Sequence, residues 1–415
     1  MIVCRLMTWW VWRIHRLKSA PAVVPASRPL IYLDACAATP LAEGLGQRLL
    51  DYQQQAWANP SSLHPAGLAA AELLERSRQR LLELLDCPNG QVVFTSGGTE
   101  ADNLALFGVC RRQTPGRLLI SAFEHAAIGR SADQLRAEGW QVEILPLDHH
   151  GRIDLQALEG LLVPPTRLVS VAWASSELGV LQPMEAISRL CHRAGVPLHS
   201  DAVQVVGQLP VAQLLPLPVD LLSISAHKFQ GPRGVGALVM PKPQALQPQL
   251  IGGGQESGLR SGTESPWLVA AMVDALECRF NLQPQLAEAM ADLRDELWQR
   301  LAAVAGLERV GRWRGSECLP HHLAVLLSSV EGEPLSARAA VRQLAQAGVA
   351  VSSGSACSSG TDQANPALLA LGYNPRQARS GLRFSVGPWL QPQDFIGLPP
   401  LLESVLRQLP TVELP

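Results

Sequence analysis

The chain has 415 residues, of which 47% are hydrophobic and 17% are charged, and its formal net charge is −2. This length suffices for two domains of ordinary size, and the apolar content excludes an intrinsically disordered chain. A nearly neutral charge balance gives no chain-wide basic field for a nucleic-acid backbone or an anionic membrane. We therefore expect a small molecule or another protein as the partner, and neither nucleic acid nor a membrane.

Residues 1–29 differ in composition from the rest of the chain. They contain five basic residues, three tryptophans and no acidic residue. Arg13 and Arg16 interrupt the apolar run that a signal peptide needs, and the run is too short to cross a membrane. We expect a disordered or surface extension, with a targeting or membrane-surface segment as the alternative.

From residue 30 onward, short apolar runs alternate with helical patterns. The runs are continuous and rich in β-branched residues, which is typical of strands covered on both faces. Their ranges are 91–96, 117–121, 141–147, 167–174, 197–202 and 220–227. Helices are predicted between them, among others at 66–85, 100–111 and 184–194. The alternation predicts an α/β fold with a mainly parallel, doubly wound sheet.

The pattern changes at about residue 279. A long amphipathic helix is predicted near 282–305, followed by the apolar run 322–329 and by helices at 335–347 and near 392–408. This order predicts a smaller α+β domain. We therefore divide the chain into the extension at 1–29, a large domain at 30–278, whose first residues can pack on the small domain, and a small domain at 279–415.

Three motifs follow predicted strands. In the first, Gly98 and Thr99 open a helix, where backbone N–H groups and the helix dipole favour an anion such as phosphate. In the second, Asp201 ends an apolar strand, and a carboxylate there needs a partner such as a protonated ring nitrogen. In the third, Lys228 precedes a glycine-rich turn, where burial lowers an amine pKa and makes it a nucleophile for a carbonyl. Each has a purely structural alternative, but together they are the parts that pyridoxal phosphate needs.

Ten ordered segments between residues 32 and 387 extend this interpretation. They read YLDACAATP, NPSSLHPAG, TSGGTEADN, EHAAI, ASSELGVLQP, HSDAVQVVGQ, SAHKFQGPRG, GGGQESGLRSGTE, SSGSACSSG and RFSVG. On these segments the chain resembles the cysteine desulfurases of the NifS/IscS type, within the class V aminotransferase-like, fold-type I pyridoxal phosphate enzymes. The resemblance implies a large domain with a mainly parallel, doubly wound sheet and a smaller α+β domain.

The resemblance also assigns roles to individual residues. Lys228 would form the Schiff base with the cofactor, His125 would stack on its ring and handle protons, and Arg383 would bind the substrate carboxylate through its planar fork. The cofactor-binding residues that it implies are Gly98, Thr99, Ser176, Asp201, Gln204, Ser225, His227 and Thr263. Thr263 would reach the cofactor phosphate of a second subunit, so the resemblance implies a homodimer.

Cys357 lies among small polar residues in the segment GSACSSG, which is typical of a loop. A cysteine taken alone is more often a buried structural thiol. The resemblance instead makes Cys357 the thiol that takes sulfur from L-cysteine as a persulfide, leaving L-alanine. A sulfur acceptor or iron–sulfur scaffold protein is the further partner that it implies.

Two segments depart from the family's pattern, each at two residues. Ser175 and Ser176 stand where the family has two asparagines, the second of which bonds the cofactor's 3-hydroxyl. Ala35 and Cys36 stand where the family has asparagine and alanine. The alternatives are a selenocysteine lyase, a pyridoxal phosphate-dependent cysteine C–S lyase and, remotely, a non-catalytic partner subunit of the same fold.

The spacing of the cysteines and of the paired histidines does not indicate a metal site. No two of the eight cysteines form a C-x-x-C pair, and scattered thiols are typical of a reducing compartment, so we expect the cytoplasm. The neighbours His149–His150 and His321–His322 would point to opposite faces of a strand and rarely share a metal.

Overall fold

The computed structural model describes residues 30–311, 315–354 and 364–413. The predicted extension at 1–29 and residues 355–363, which include Cys357 and its predicted loop, lie outside the described residues. The α-helices in the described residues are α1 (Leu45–Gln55), α2 (Pro65–Leu84), α3 (Gly98–Cys110), α4 (Ala126–Ala137), α5 (Leu155–Leu161), α6 (Met184–Ala194), α7 (Pro266–Asn281), α8 (Gln285–Leu301), α9 (Ala337–Gln346), α10 (Pro366–Ala370), α11 (Pro375–Ala378) and α12 (Leu398–Leu406).

The strands form three sheets in the described part of the chain. They are β1 (Ile31–Tyr32), β2 (Gln91–Thr95), β3 (Arg117–Ile120), β4 (Gln141–Ile144), β5 (Thr166–Ser170), β6 (Leu198–Asp201), β7 (Leu221–Ser225), β8 (Gly236–Met240), β9 (Leu307–Arg309), β10 (His322–Leu327), β11 (Val349–Ala350) and β12 (Gly381–Ser385). A seven-stranded sheet has the order β2-β8-β7-β6-β5-β3-β4, and β12-β10-β9 and β1-β11 form the two smaller sheets.

The large sheet is parallel except at one strand. β8 runs antiparallel to both β2 and β7, whereas β7, β6, β5, β3 and β4 run parallel to one another. Every residue of β7 and β8 is buried, as expected for strands covered on both faces by helices. The predicted α/β class with a mainly parallel sheet is confirmed, and the carboxyl ends of β6 and β7 lie side by side.

The main differences from the predicted elements occur at turns and helix ends. β8 follows a glycine-rich turn so closely that the sequence pattern hides it, and α7 precedes the helix predicted near 282–305. The last helix begins at Leu398, not at 392, where a short 3-10 turn lies instead. Proline residues in the first turn of α12 have no N–H to donate, so they start a helix better than they continue one.

The region after residue 285 has an apolar core of its own. Side chains of α8, β10, α9, β12 and α12 form one buried cluster that includes Leu297, Leu323, Phe384 and Leu402. Leu33, next to β1, belongs to the same cluster, and β1 pairs with β11. Residue 279 lies in the last turn of α7, and the division of the chain there stays a prediction.

Candidate active site

The start of α3 and the ends of β6 and β7 form a cradle suited to an anion. Gly97 precedes the helix without a side-chain cap, so the first N–H groups of α3 are not taken up by the preceding side chain. Ser225 Oγ lies 2.9 Å from His227 Nδ1 at the end of β7. A Cβ on Gly98 would lie 2.8 Å from Val203 Cγ2, so only glycine lets the backbone approach this closely. Backbone N–H groups and a helix dipole at such a place favour a phosphate group.

Asp201 ends β6 as a buried carboxylate. Its Oδ1 accepts a hydrogen bond of 2.9 Å from the Val203 backbone N–H. Burial raises the pKa of Asp201, whereas its electrostatic interactions with His125 and Lys228 lower it. A protonated ring nitrogen placed against this carboxylate would favour the anionic form in the same way.

Lys228 lies one turn after the end of β7, and its amine points back toward the segment after β1. Its Nζ donates hydrogen bonds to the carbonyl oxygens of Cys36 at 2.5 Å and Ala37 at 2.9 Å. Gln204 Nε2 donates to the same Cys36 carbonyl at 3.1 Å, so the predicted residues Gln204 and Lys228 meet at one acceptor. Burial lowers the pKa of Lys228, which increases the fraction of neutral, nucleophilic amine.

His125 caps the N-terminus of α4. Its Nδ1 accepts a hydrogen bond of 3.1 Å from the Ala127 backbone N–H. In a neutral imidazole one nitrogen accepts and the other carries the proton, so this bond places the proton of His125 on Nε2. The ring also acts electrostatically on Asp201, which puts the predicted proton-handling residue close to the predicted partner of the ring nitrogen.

Arg383 lies on β12 and is 3% exposed. Its Nη2 donates to Asp34 Oδ1 at 2.8 Å, and its Nη1 donates to the carbonyl oxygens of Ser176 at 2.9 Å and Gly354 at 3.2 Å. Burial by itself lowers the pKa of Arg383, but the neighbouring Cys36 and Asp34 raise it above its usual range, so the guanidinium stays charged. Its buried Nε has no hydrogen-bond partner among the described residues, which leaves a donor for a carboxylate.

Two predicted residues are placed differently from the others. Ser176 contributes its backbone carbonyl, which accepts from Arg383 and lies 3.2 Å from His322 Nε2. Thr263 is exposed on the segment between β8 and α7, away from the contacts that join Lys228, Gln204 and Arg383. The role predicted for Thr263 needs a second subunit, so it stays a prediction.

Cys357 lies outside the described residues, but the residues on either side of its segment are described. The carbonyl oxygen of Gly354 accepts from Arg383, and Asn365 caps α10 by accepting from the N–H groups of Ala367 and Leu368. A Cβ on Gly354 would clash with the Asn365 side chain, so the two flanking residues are in close contact. Gly354 and Asn365, which flank the segment 355–363, therefore lie close together, and Gly354 contacts Arg383.

The sequence interpretation missed the buried acids around this site. Glu124 Oε1 accepts hydrogen bonds from Ser121 and from the Ala172 N–H at 2.8 Å, whereas its buried Oε2 has no partner among the described residues. Burial raises the pKa of Glu124 to about 8. Asp102 on α3 is also buried, and burial raises its pKa well above the usual range. For Asp102, an acidic residue at a helical position that faces the sheet was the available signal.

Glu124 predicts a pH-dependent stability. The pKa of Glu124 in the folded protein exceeds its unfolded value of about 4.5, so the native state binds more protons than the unfolded state between these two values. The free energy of unfolding therefore falls as pH rises from about 5 to 8, by at most about 1.4 kcal/mol per pH unit. Glu124→Gln keeps the acceptor oxygen and removes the titration. Urea unfolding of the two proteins at several pH values should show a flatter profile for the variant. Parallel profiles would contradict the shifted pKa.

Comparison with known proteins decides the family. The model of the family described as Aminotransferase class-V matches residues 31–394. This chain is a member of the class-V aminotransferase family. A protein named "Cysteine desulfurase" from Cereibacter sphaeroides is 37% identical over 382 residues, covering 91% of this chain and 96% of the relative. "Cysteine desulfurase IscS 1" of Archaeoglobus fulgidus is 34% identical over 380 residues, covering 91% and 97%.

A solved structure agrees with this membership. The structure titled "NIFS-LIKE PROTEIN" superposes with a TM-score of 0.81 at 27% identity, covering 91% of this chain and 98% of that one. The resemblance to NifS/IscS-type enzymes and the fold-type I architecture are therefore confirmed. Within the described residues there is no helix long and apolar enough to span a membrane, and no group of three or more metal-binding side chains.

Proposed function

We propose that the chain is a pyridoxal phosphate-dependent cysteine desulfurase that converts L-cysteine to L-alanine and takes up the sulfur on Cys357. The observation that carries this proposal is the position of Arg383. Its guanidinium lies between Asp34 and the carbonyl of Gly354, where the segment that contains Cys357 leaves the described structure. A substrate carboxylate at Arg383 Nε would lie near Gly354, whose carbonyl contacts the same guanidinium. It would also lie near the Lys228 region, because Cys36 interacts electrostatically with both Arg383 and Lys228.

The residues of the site fit pyridoxal phosphate. The N-terminus of α3, with Gly98 and Thr99, and the pair Ser225–His227 would hold the phosphate. Asp201 would hold the ring nitrogen, and Gln204 and Ser176 would lie toward the 3-hydroxyl. Bound there, the cofactor supplies an aldehyde for Lys228 and an electron sink that weakens the Cβ–S bond of the substrate.

The side chains of this chain have separable tasks in the reaction. Arg383 binds and orients the carboxylate of L-cysteine through its unpartnered Nε–H. Lys228 Nζ, with its lowered pKa, accepts the α-proton once the amine is free. His125 carries a proton on Nε2 and can exchange it with the substrate sulfur or with the Cys357 thiol.

Sulfur transfer to Cys357 follows from thiolate chemistry. The thiolate attacks the substrate sulfur, an S–S bond forms, and the Cβ–S bond breaks with its electron pair left on Cβ. That carbon takes a proton and becomes the methyl group of L-alanine. The persulfide is then available to an acceptor, which we propose to be a sulfur-acceptor or iron–sulfur scaffold protein.

The test is to incubate the purified holoenzyme with L-cysteine and to measure alanine and sulfide together. With a thiol reductant, we expect equal amounts of the two products. Without it, alanine should stop at about one equivalent per chain, since the persulfide accumulates. Sulfide released with pyruvate and ammonia in place of alanine would instead show a C–S lyase, and turnover confined to selenocysteine would show a selenocysteine lyase.

A homodimer is part of the same proposal. Trp57, Leu63 and Ile251 are 70%, 89% and 88% exposed, respectively, on the segments after α1 and before Thr263. Large apolar side chains with this much exposure are typical of a subunit interface. The same two segments line one cleft, whose walls include Pro60, Ser61, Glu256, Ser257 and Glu264.

If this surface is the subunit interface, charged substitutions there should separate the two subunits. Leu63→Asp combined with Ile251→Asp should shift the mass in light scattering from twice that of one chain to that of one chain. Val330→Asp is the matched control, because Val330 is 83% exposed elsewhere and its change should leave the mass unaltered. A parent protein that is fully active as a monomer at low concentration would overturn the proposal.

We also propose a cytoplasmic location. Cys36, Cys87, Cys110, Cys191, Cys278 and Cys318 are free thiols in the described part of the chain. Unpaired cysteines in a persulfide-forming enzyme suit a reducing compartment. Fractionation of cells that express the tagged protein would test this location.

A further inference from the structure

Asp102, on helix α3, is a second buried carboxyl group close enough to Asp201 to interact with it electrostatically. Asp102 is 1% exposed, and its Oδ1 is buried with no hydrogen-bond partner in the described part of the chain. The basic atom that faces it is Nε2 of His199, at 3.7 Å from Oδ1. His199 lies on β6, two residues before Asp201, so both side chains project from the same face of the sheet.

His199 is enclosed by hydroxyl groups. Its Nδ1 lies 2.9 Å from Ser170 Oγ, and its Nε2 lies 2.9 Å from Ser223 Oγ. Both serines are 0% exposed, as is His199. Ser223 pairs in register with Asp201 across β6 and β7, so this buried network touches the strand position that carries the ring-nitrogen carboxylate.

Among the described residues, no cation faces Asp102 to balance a negative charge. The groups that act on it are Asp201 and Glu124, both acidic, His199 and the hydroxyl of Ser223. Burial raises the pKa of Asp102 and the charge of Asp201 raises it further, whereas Ser223 lowers it. Burial also lowers the pKa of His199 to about 3, so the imidazole is neutral. The repulsion between two buried negative charges is removed when one of the two groups takes up a proton.

We propose that Asp102 is a positioning residue that carries a proton, directs it from Oδ1 toward His199 Nε2, and so leaves Asp201 as the one charged carboxylate beneath the ring nitrogen. The role of Asp201 in this statement rests on the proposed function. The state of Asp102 does not, because it follows from contacts within the protein.

The proton on Asp102 can be observed without cofactor or activity. Infrared difference spectra of the apoprotein at neutral pH, parent minus Asp102→Asn, should contain the C=O stretching band of a protonated carboxylic acid. Asp133→Asn is the control, because Asp133 is half-exposed on α4, and it should give only carboxylate bands. A parent spectrum that shows Asp102 as a carboxylate would overturn the proposal.

Stability gives a second, independent readout. A raised folded pKa means that the native state keeps a proton that the unfolded chain loses as pH rises above about 4. The stability of Asp102→Asn relative to the parent should therefore increase from pH 5 to 8 in urea unfolding. A relative stability that stays constant from pH 5 to 8 would show that Asp102 has lost its proton beside a neutral His199, and would overturn the proposal.

The positioning role is tested on the loaded enzyme. The measurement is the visible absorbance of the bound cofactor, titrated against pH. Asparagine can still donate to His199 Nε2, whereas leucine cannot. The midpoint of the titration should therefore be the same in the parent and in Asp102→Asn. Asp102→Leu should shift that midpoint. A shift in the asparagine variant by about one pH unit at neutral pH would overturn the proposal. If no cofactor binds at all, the proposed function fails while the infrared result stands.

Discussion

Cys357→Ser should abolish sulfur transfer to the protein while the cofactor stays bound. The alcohol oxygen of serine is a poor nucleophile toward sulfur and forms no persulfide, so we expect a loss of about 10³-fold or more in alanine formation. The anchors proposed for the cofactor lie on α3, β6 and β7, whereas Cys357 lies on the segment after Gly354. The visible absorbance of the cofactor should therefore be unchanged.

Cys278→Ala is the matched control for this variant. Cys278 is the half-buried thiol on α7, and its loss should leave turnover largely intact. Mass spectrometry after a pulse of cysteine should locate the extra sulfur on the peptide of Cys357. Near-parent alanine formation by Cys357→Ser would contradict the role proposed for Cys357, because the sulfur would then pass to an acceptor other than this thiol. Alanine should also be tolerated in turnover, at some cost in stability, at the buried thiols Cys36, Cys87, Cys110, Cys191 and Cys318.

Lys228→Ala should remove the covalent attachment of the cofactor. The Nζ amine with a lowered pKa is the nucleophile that the site offers to a carbonyl, and the methyl group of alanine cannot replace it. We expect turnover to fall by about 10³-fold or more and borohydride to fix no cofactor to the protein. Lys242→Ala, a change at a lysine beyond β8, is the control and should retain both properties.

The peptide that carries the cofactor after borohydride reduction of the parent protein shows which lysine forms the covalent bond. It should contain Lys228, because Asp201 and the start of α3 place the two ends of the cofactor around that amine. A labelled peptide from another part of the chain would contradict it. A Lys228→Ala protein that still binds pyridoxal phosphate without a covalent bond would agree with the proposed anchors.

The sequence alone determined the fold class and most of the proposed site. Continuous apolar runs predict strands covered on both faces, and polar residues at their ends predict a site at the carboxyl edge of the sheet. Asp201 and Lys228 were found in this way, since local pattern and strand end coincide in them. The order of β8 in the sheet was not found, because strand pairing is set by contacts between residues far apart in the chain.

Only the tertiary structure decided what surrounds each charge. Arg383 and Asp34 are far apart in sequence, yet they form an ion pair at 2.8 Å with a buried guanidinium. Asp102 and His199 likewise meet only when α3 packs on the sheet, and nothing local indicates that an oxygen of Asp102 is buried without a hydrogen bond to the described residues. A residue's type fixes which protons and charges it can carry. Its burial and its neighbours, which the folded chain alone supplies, fix which of those states is stable.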